Sequence, residues 1–373
     1  MRIGIDFHVA DGIYQGVRTY LANIIEEMMR VENELTYYIY MKKPNEFVHE
    51  KTYCAKYSIR KLPSTSGRFN LLMGFPAYAI RDSLSLFHGQ YVLPLFLPCR
   101  SVLTIHDILF ESNPEFFPKF HRRLLKFFVP ISAKRSHRII SVSEFTRKQI
   151  IKYYNIPPEK ITVIHEGASR QFGPIKNKDF IYSQLTRYGI RKKYVLFVGR
   201  IEPRKNVTGL LEAFNHMRRR DKRDLCLVIV GNQDRIFQST ELTTSIKDMQ
   251  VNSDVIFTGG VSEEDLSVLY NGAEVLAYPA FAEGFGLPVL EAMACGTPVV
   301  TSNTTSLPEI AGDAALLVNP YSAREIGECL ERVLRDSELR RELSRKGLQR
   351  AKKFRWREAS QKTIQLYREV LSS

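Results

Sequence analysis

Short apolar runs alternate with amphipathic segments along almost the whole chain. The runs lie at Arg2–Asp6, Ser101–Ile105, Arg138–Val142, Ile161–His165, Tyr194–Val198, Leu225–Val230, Val255–Thr258, Val275–Tyr278 and Val299–Thr301. Each is followed by polar or glycine-containing residues. Helical spacing often comes next, as near Thr19–Met29 and Val207–Met217. Buried runs of this length alternating with helices predict parallel α/β sheets. The grammar of strand, glycine-bearing loop and helix begins twice, at Arg2 and at Tyr194. Two doubly wound domains are expected, with ligands at the carboxyl ends of the strands. The polar, basic stretch from Ala168 to Lys193, with Gly173, Pro174 and Gly189, marks the boundary between them. The expected domains are residues 1–170 and 171–355.

Composition excludes several classes. A chain of 373 residues is long enough for two ordinary domains, and 44% hydrophobic with 25% charged residues is a globular balance. The opening run Met1–Asp6 is too brief for a signal peptide. No stretch reaches the roughly 18 to 20 apolar residues of a membrane span. The apolar region Leu84–Leu97 is broken by His88, Gly89, Pro94 and polar residues. Five cysteines (54, 99, 226, 295 and 329) are scattered, with no C-x-x-C pair. Reduced thiols in a cytosolic protein follow as an expectation, and no His/Cys cluster has metal-ligand spacing. The formal charge of +14 calls for an anionic partner: nucleic acid, membrane surface or a phosphate-bearing substrate. Arg122, Arg123, Lys126, Lys134, Arg135, Arg138, Arg147, Lys148 and Lys152 crowd one region, without a nucleic-acid-binding signature.

The chemistry concentrates in Glu283-Gly-Phe-Gly-Leu-Pro-Val-Leu-Glu291. Gly284 and Gly286 let backbone approach a ligand, and Pro288 suits the first turn of a helix. A helix N-terminus offers N–H groups to an anion. Glu283 and Glu291 flank that turn, and carboxylates accept from hydroxyls. A ligand carrying phosphate and several hydroxyls is implied. A second candidate is Gly199-Arg-Ile-Glu-Pro-Arg-Lys-Asn206, where cations on a turn lead to a helix. A third is Thr104-Ile-His-Asp107, which places His106 at the carboxyl edge of a strand. Asp107 stands there either to orient the imidazole or to cap the next segment. Phe116–Phe128 mixes aromatics with bases, and reads either as a membrane-facing segment or as a helix with an apolar inner face.

The segment 283–291, continued by Ala294-Cys-Gly-Thr-Pro-Val-Val-Thr301, resembles the Glu-x7-Glu motif of retaining glycosyltransferases of family four. The resemblance extends over nearly the whole chain. It implies an α/β GT-B fold, with two Rossmann-like doubly wound domains facing a central cleft. It also implies a final helix, residues 356–373, that returns to the first domain. Arg200 and Lys205 take the positions that grip the donor diphosphate, and His106 the position that contacts the donor sugar. Glu283 is expected to reach the sugar and Glu291 the ribose, with Phe285, Gly286 and Leu287 at the helix mouth. Gly259-Gly-Val-Ser262 matches the base-recognition loop through backbone groups, which brings in Val261. Gly16, in Gln15-Gly-Val-Arg-Thr-Tyr20, matches the glycine-rich first loop, although Arg18 stands where the family often has a second glycine. Ser143-Glu-Phe-Thr146 matches a family loop, with Ser143 as helix cap.

The implied activity is retaining transfer of a hexose without a cofactor or bound metal. The closest pattern is that of bacterial surface-polysaccharide enzymes, with mannose from GDP-mannose first and UDP- or dTDP-sugars as alternatives. A sugar-nucleotide epimerase or a non-catalytic binder shares the architecture. The expected partners are a nucleotide-sugar, a saccharide or lipid-linked acceptor and an anionic membrane surface, but not nucleic acid. The expected location is cytoplasmic, peripheral at the inner face of the membrane.

Overall fold

The computed structural model describes residues 1–8, 16–31, 34–42, 56–63, 70–220, 224–232 and 254–373. They form two compact units, Met1–Glu166 with Arg355–Ser373, and Gly167–Phe354. Each is built on one all-parallel sheet.

The first sheet contains β1 (Arg2–Asp6), β2 (Thr36–Met41), β3 (Tyr57–Lys61), β4 (Leu86–Gln90), β5 (Arg100–Ile105), β6 (Arg138–Ser141) and β7 (Ile161–Val163). Their order is β3-β2-β1-β4-β5-β6-β7. The helix Gly16–Arg30 buries Tyr20, Leu21, Ile24, Ile25 and Met28 on one face. That spacing is the 3.6-residue repeat of a half-buried helix. The terminal helix Trp356–Ser372 packs beside it, with the Tyr20 and Trp356 rings 5.9 Å apart. Strands β2, β3 and β4 had no counterpart among the predicted runs. In β4 the reason is visible: His88 and Gln90 break the apolar pattern, yet the whole strand is buried. Its polar side chains are satisfied by one another and by neighbouring elements.

The second sheet contains β8 (Lys193–Val198), β9 (Leu225–Val230), β10 (Val255–Gly259), β11 (Val275–Tyr278), β12 (Val299–Ser302) and β13 (Leu316–Val318), in the order β10-β9-β8-β11-β12-β13. The strand order reverses at β8, which lies between β9 and β11. In open α/β sheets ligands bind at the carboxyl ends of the strands, where the connections diverge to opposite sides. The carboxyl ends of β8 and β11 carry the loops that begin at Gly199 and Pro279. Gly231 (φ +137°) lets the end of β9 press against the Gly199 carbonyl, where a Cβ would collide. Gly199 N–H then donates to Val230 O at 2.9 Å and Ile201 N–H to Asn232 O at 3.1 Å. The start of the loop after β8 is thereby held by backbone hydrogen bonds.

Candidate active site

In the second unit the loops after β8 and β11 converge. Pro203–Lys205 forms a single 3-10 turn, and Asn206 takes a left-handed conformation before the helix Val207–Arg220. The Asn206 amide donates to the carbonyls of Pro279 and Pro320, at 3.1 and 2.7 Å. Phe281 N–H donates to Arg204 O at 2.8 Å. These bonds bring Lys205 into direct contact with Glu283. Arg204 Nη1 reaches the other carboxylate oxygen at 3.1 Å, and Tyr278 donates its hydroxyl to Glu283 at 2.7 Å. Arg204 also pairs with Glu202 at 2.7 Å.

The electrostatics follow from burial. Glu283 is 7% and Lys205 8% exposed, so neither is a solvated loop side chain. Burial alone would raise the Glu283 carboxyl, but Lys205 and Arg204 outweigh it and bring it down to about 2. Burial and the adjacent Arg204 lower the Lys205 ammonium below the usual lysine value, against the pull of Glu283 and Glu202. Two cations and two carboxylates sum to zero formal charge. Arg200 follows Gly199 on the same loop and is half-buried.

The helix Leu287–Cys295 begins as the glycine and proline pattern requires. Gly286 caps it at φ +111°, a left-handed geometry that favours glycine, and Pro288 sits in the first turn. A Cβ on Gly286 would also come within 2.7 Å of Leu307. The preceding loop is held from outside: Glu283 N–H donates to Thr305 Oγ1 at 3.1 Å. The Ser306 hydroxyl lies 2.9 Å from the Glu283 and Phe285 carbonyls and shares its proton between them. Glu291 is one turn into the helix, and its Oε2 accepts from the buried Tyr270 hydroxyl at 2.8 Å. The Phe285 and Leu287 side chains are buried, Phe285 against Phe354. Val261 is half-buried in the loop after β10, between Gly260, whose N–H donates to Asn232, and Ser262, which caps the helix Glu263–Gly272.

In the first unit His106 follows β5. Its partner is not Asp107, whose carboxylate accepts from Leu109 N–H at 3.1 Å and so caps the next segment. The imidazole lies between Glu166 and the Gln90 side chain. Ser143 caps the helix Glu144–Tyr154, and Thr146 on that helix donates to the His106 carbonyl at 3.2 Å. Gly16 opens the helix Gly16–Arg30 and is exposed, and a Cβ there would touch nothing among the described residues. Arg18 is half-buried two residues on. Gly12 and Gln15 lie outside the described residues.

The loop residues were legible from motif and spacing, but their supports were not. Tyr278 and Tyr270 read as ordinary strand and helix apolar positions, and Thr305 and Ser306 as an unremarked polar turn. Gln90 and His88 left one signal: polar residues interrupting an otherwise apolar stretch.

Residues 186–350 match the family model of glycosyl transferases group 1, and residues 14–172 that of glycosyltransferase family 4. The O-antigen chain mannosyltransferase B of Escherichia coli is 35% identical over 299 residues, covering 78% of this chain and 76% of that protein. The chain belongs to the group 1 glycosyltransferases. Two solved structures share its fold. Sucrose-phosphate synthase from Thermosynechococcus elongatus superposes with a TM-score of 0.81 at 21% identity, covering 100% of this chain and 99% of that one. Anabaena Alr3699/HepE, solved in complex with UDP-glucose, has a TM-score of 0.78 at 16% identity, covering 99% and 100%. In this glycosyltransferase the loops after β8 and β11 form a buried, charge-balanced cluster.

Proposed function

We propose that this glycosyltransferase moves mannose from GDP-mannose to a saccharide or lipid-linked acceptor in surface-polysaccharide assembly, with retention at the transferred carbon and without a bound metal. The observation that carries the site is the Lys205–Glu283 contact at the carboxyl ends of β8 and β11, with Arg200 on the same loop. Mannose is supported by the likeness to an O-antigen chain mannosyltransferase. The donor's sugar–phosphate bond breaks and charge develops on the diphosphate. Arg200, Lys205 and the helix N-terminus at Leu287 stabilise that charge. Glu283 orients a sugar hydroxyl, since a carboxylate has about four acceptor positions and the protein donors fill only part of them. Glu291 accepts from the ribose. The acceptor oxygen bonds to the sugar carbon on the face the diphosphate leaves, and its proton passes to a donor phosphate oxygen. In the first unit, His106 is the residue proposed to meet substrate.

A thermal-shift panel of sugar nucleotides tests the donor, because a ligand that binds only the native state raises its stability. GDP-mannose is expected to give the largest shift. A larger shift with a UDP- or dTDP-sugar replaces it, and an altered sugar nucleotide formed without acceptor marks an epimerase. Since cations and N–H groups meet the phosphates, saturating EDTA is expected to leave turnover nearly intact. A strict requirement for Mg²⁺ or Mn²⁺ contradicts the proposed site.

Among the described residues no helix is long and apolar enough to cross a membrane. The helix Lys119–Arg135 nonetheless turns Phe120 (69% exposed) and Phe127 (62% exposed) outward, beside exposed Lys119, Arg123 and Lys126. Its inner face is Val129, Ser132 and Ala133. Aromatics interleaved with cations on an outer helix face suit an anionic lipid surface. Co-sedimentation with phosphatidylglycerol vesicles is expected at low salt, weakened by Phe120→Ser with Phe127→Ser. Absence of binding to such vesicles removes this partner.

A further inference from the structure

A buried line of polar side chains crosses the first sheet and ends at His106. Strands β4 and β5 are adjacent, with Gln90 opposite Thr104. His106 Nε2 lies 2.9 Å from the Gln90 side-chain oxygen, and the Gln90 nitrogen lies 3.5 Å from His88 Nε2. His88 Nε2 is 2.7 Å from Thr104 Oγ1, and its Nδ1 is 2.5 Å from the Tyr367 hydroxyl. Tyr20 bonds Thr104 at 3.2 Å. On the other side of the imidazole, Nδ1 lies 3.3 Å from Glu166 Oε1. Glu166 is the last residue of the unit before the chain leaves it, and Tyr367 belongs to the terminal helix that returns.

Sheet interiors are ordinarily filled by apolar side chains, and each buried polar group left without a partner costs about 1–3 kcal/mol. Here His88, Gln90, Thr104, His106 and Glu166 are all buried, and each has a partner. The chemistry of those partners selects a tautomer. An ionised carboxylate only accepts, so Nδ1 of His106 carries a proton toward Glu166. Nε2 then faces Gln90, whose amide presents oxygen to N–H or N–H to a lone pair by rotation. Burial, with His106 nearby, holds the His88 imidazole down to about 3, so it stays neutral and follows either amide orientation. When His88 accepts from Gln90, its Nδ1–H donates to Tyr367; in the reverse set the Tyr367 hydroxyl donates.

We infer that Glu166 and Gln90 are positioning residues for His106, fixing its tautomer and ring plane, and that Tyr367 anchors this support on the terminal helix. The inference rests on reading His106 as a substrate-contacting residue. Tyr20 edge-on at 4.9 Å and Tyr91 at 5.6 Å complete the surroundings of the ring. Asp107 is turned to Leu109 N–H and to Tyr91. Glu166 is thus the carboxylate that faces the ring.

The test measures GDP released from GDP-mannose with a mannose-bearing oligosaccharide as acceptor, in the full chain. Glu166→Gln is expected to lower kcat by about 10- to 100-fold, with KM for the donor changing by less than about threefold. Glu166→Gln combined with His106→Ala should be no slower than His106→Ala alone. Gln90→Met provides the same test if Glu166→Gln does not fold. Wild-type kcat in the positioning variants, with activity lost in His106→Ala, overturns the inference while leaving His106 in the site. Full activity in His106→Ala removes His106 from the site, and the inference falls with it.

Discussion

Lys205→Ala is expected to lower transfer by about 10²-fold or more, the scale for losing one charge-stabilising group. Burial adds a second consequence. Lys205 lies in contact with Glu283 inside the unit, so its removal leaves a buried carboxylate short of one partner. Breaking a buried ion pair from one side costs about 3–5 kcal/mol. Arg204 and Tyr278 still hold Glu283, which places the loss near the lower end, about 3 kcal/mol. For a unit of this size that is a fall in melting temperature of roughly 6–12 °C. Arg200→Ala, at a half-buried position outside the quartet, should lose activity with little change in melting temperature. Initial rates and thermal unfolding of both variants separate the roles. Normal turnover in both places the diphosphate elsewhere. Both residues lie on one loop, but Asn206 and Phe281 draw its Lys205 end into the interior.

The second expected result divides the two carboxylates. Glu291→Gln should weaken binding of sugar-free GDP by roughly 1–3 kcal/mol, or about 5- to 150-fold, because a ribose hydroxyl loses a charged acceptor. Glu283→Gln should depress turnover strongly without weakening GDP. Its removal leaves Lys205 and Arg204 opposed only by Glu202, so the region becomes more positive and favours the diphosphate. Titration calorimetry with GDP decides the matter. If Glu283→Gln weakens GDP and Glu291→Gln does not, the two ends of the motif have exchanged roles.

Sequence alone determined the elements whose signal is local. The apolar runs that predicted β1, β5, β6, β8, β9, β11 and β12 are largely buried strands, so their composition carried the signal directly. Gly286 and Pro288 announced a helix start because only glycine tolerates that backbone and only an N-terminal turn welcomes proline. Tertiary structure decided what is paired with what. Strand β4 was hidden because His88 and Gln90 look like interruptions until Thr104 and Tyr367 are beside them. Glu283 and Lys205 are 78 positions apart, and no spacing rule links them. Their contact exists because β8 and β11 are neighbours in the sheet, and the pairing of distant strands is a property of the folded chain. For the same reason His106 could be placed at a strand end from its sequence, while its partner Glu166, 60 positions away, could not.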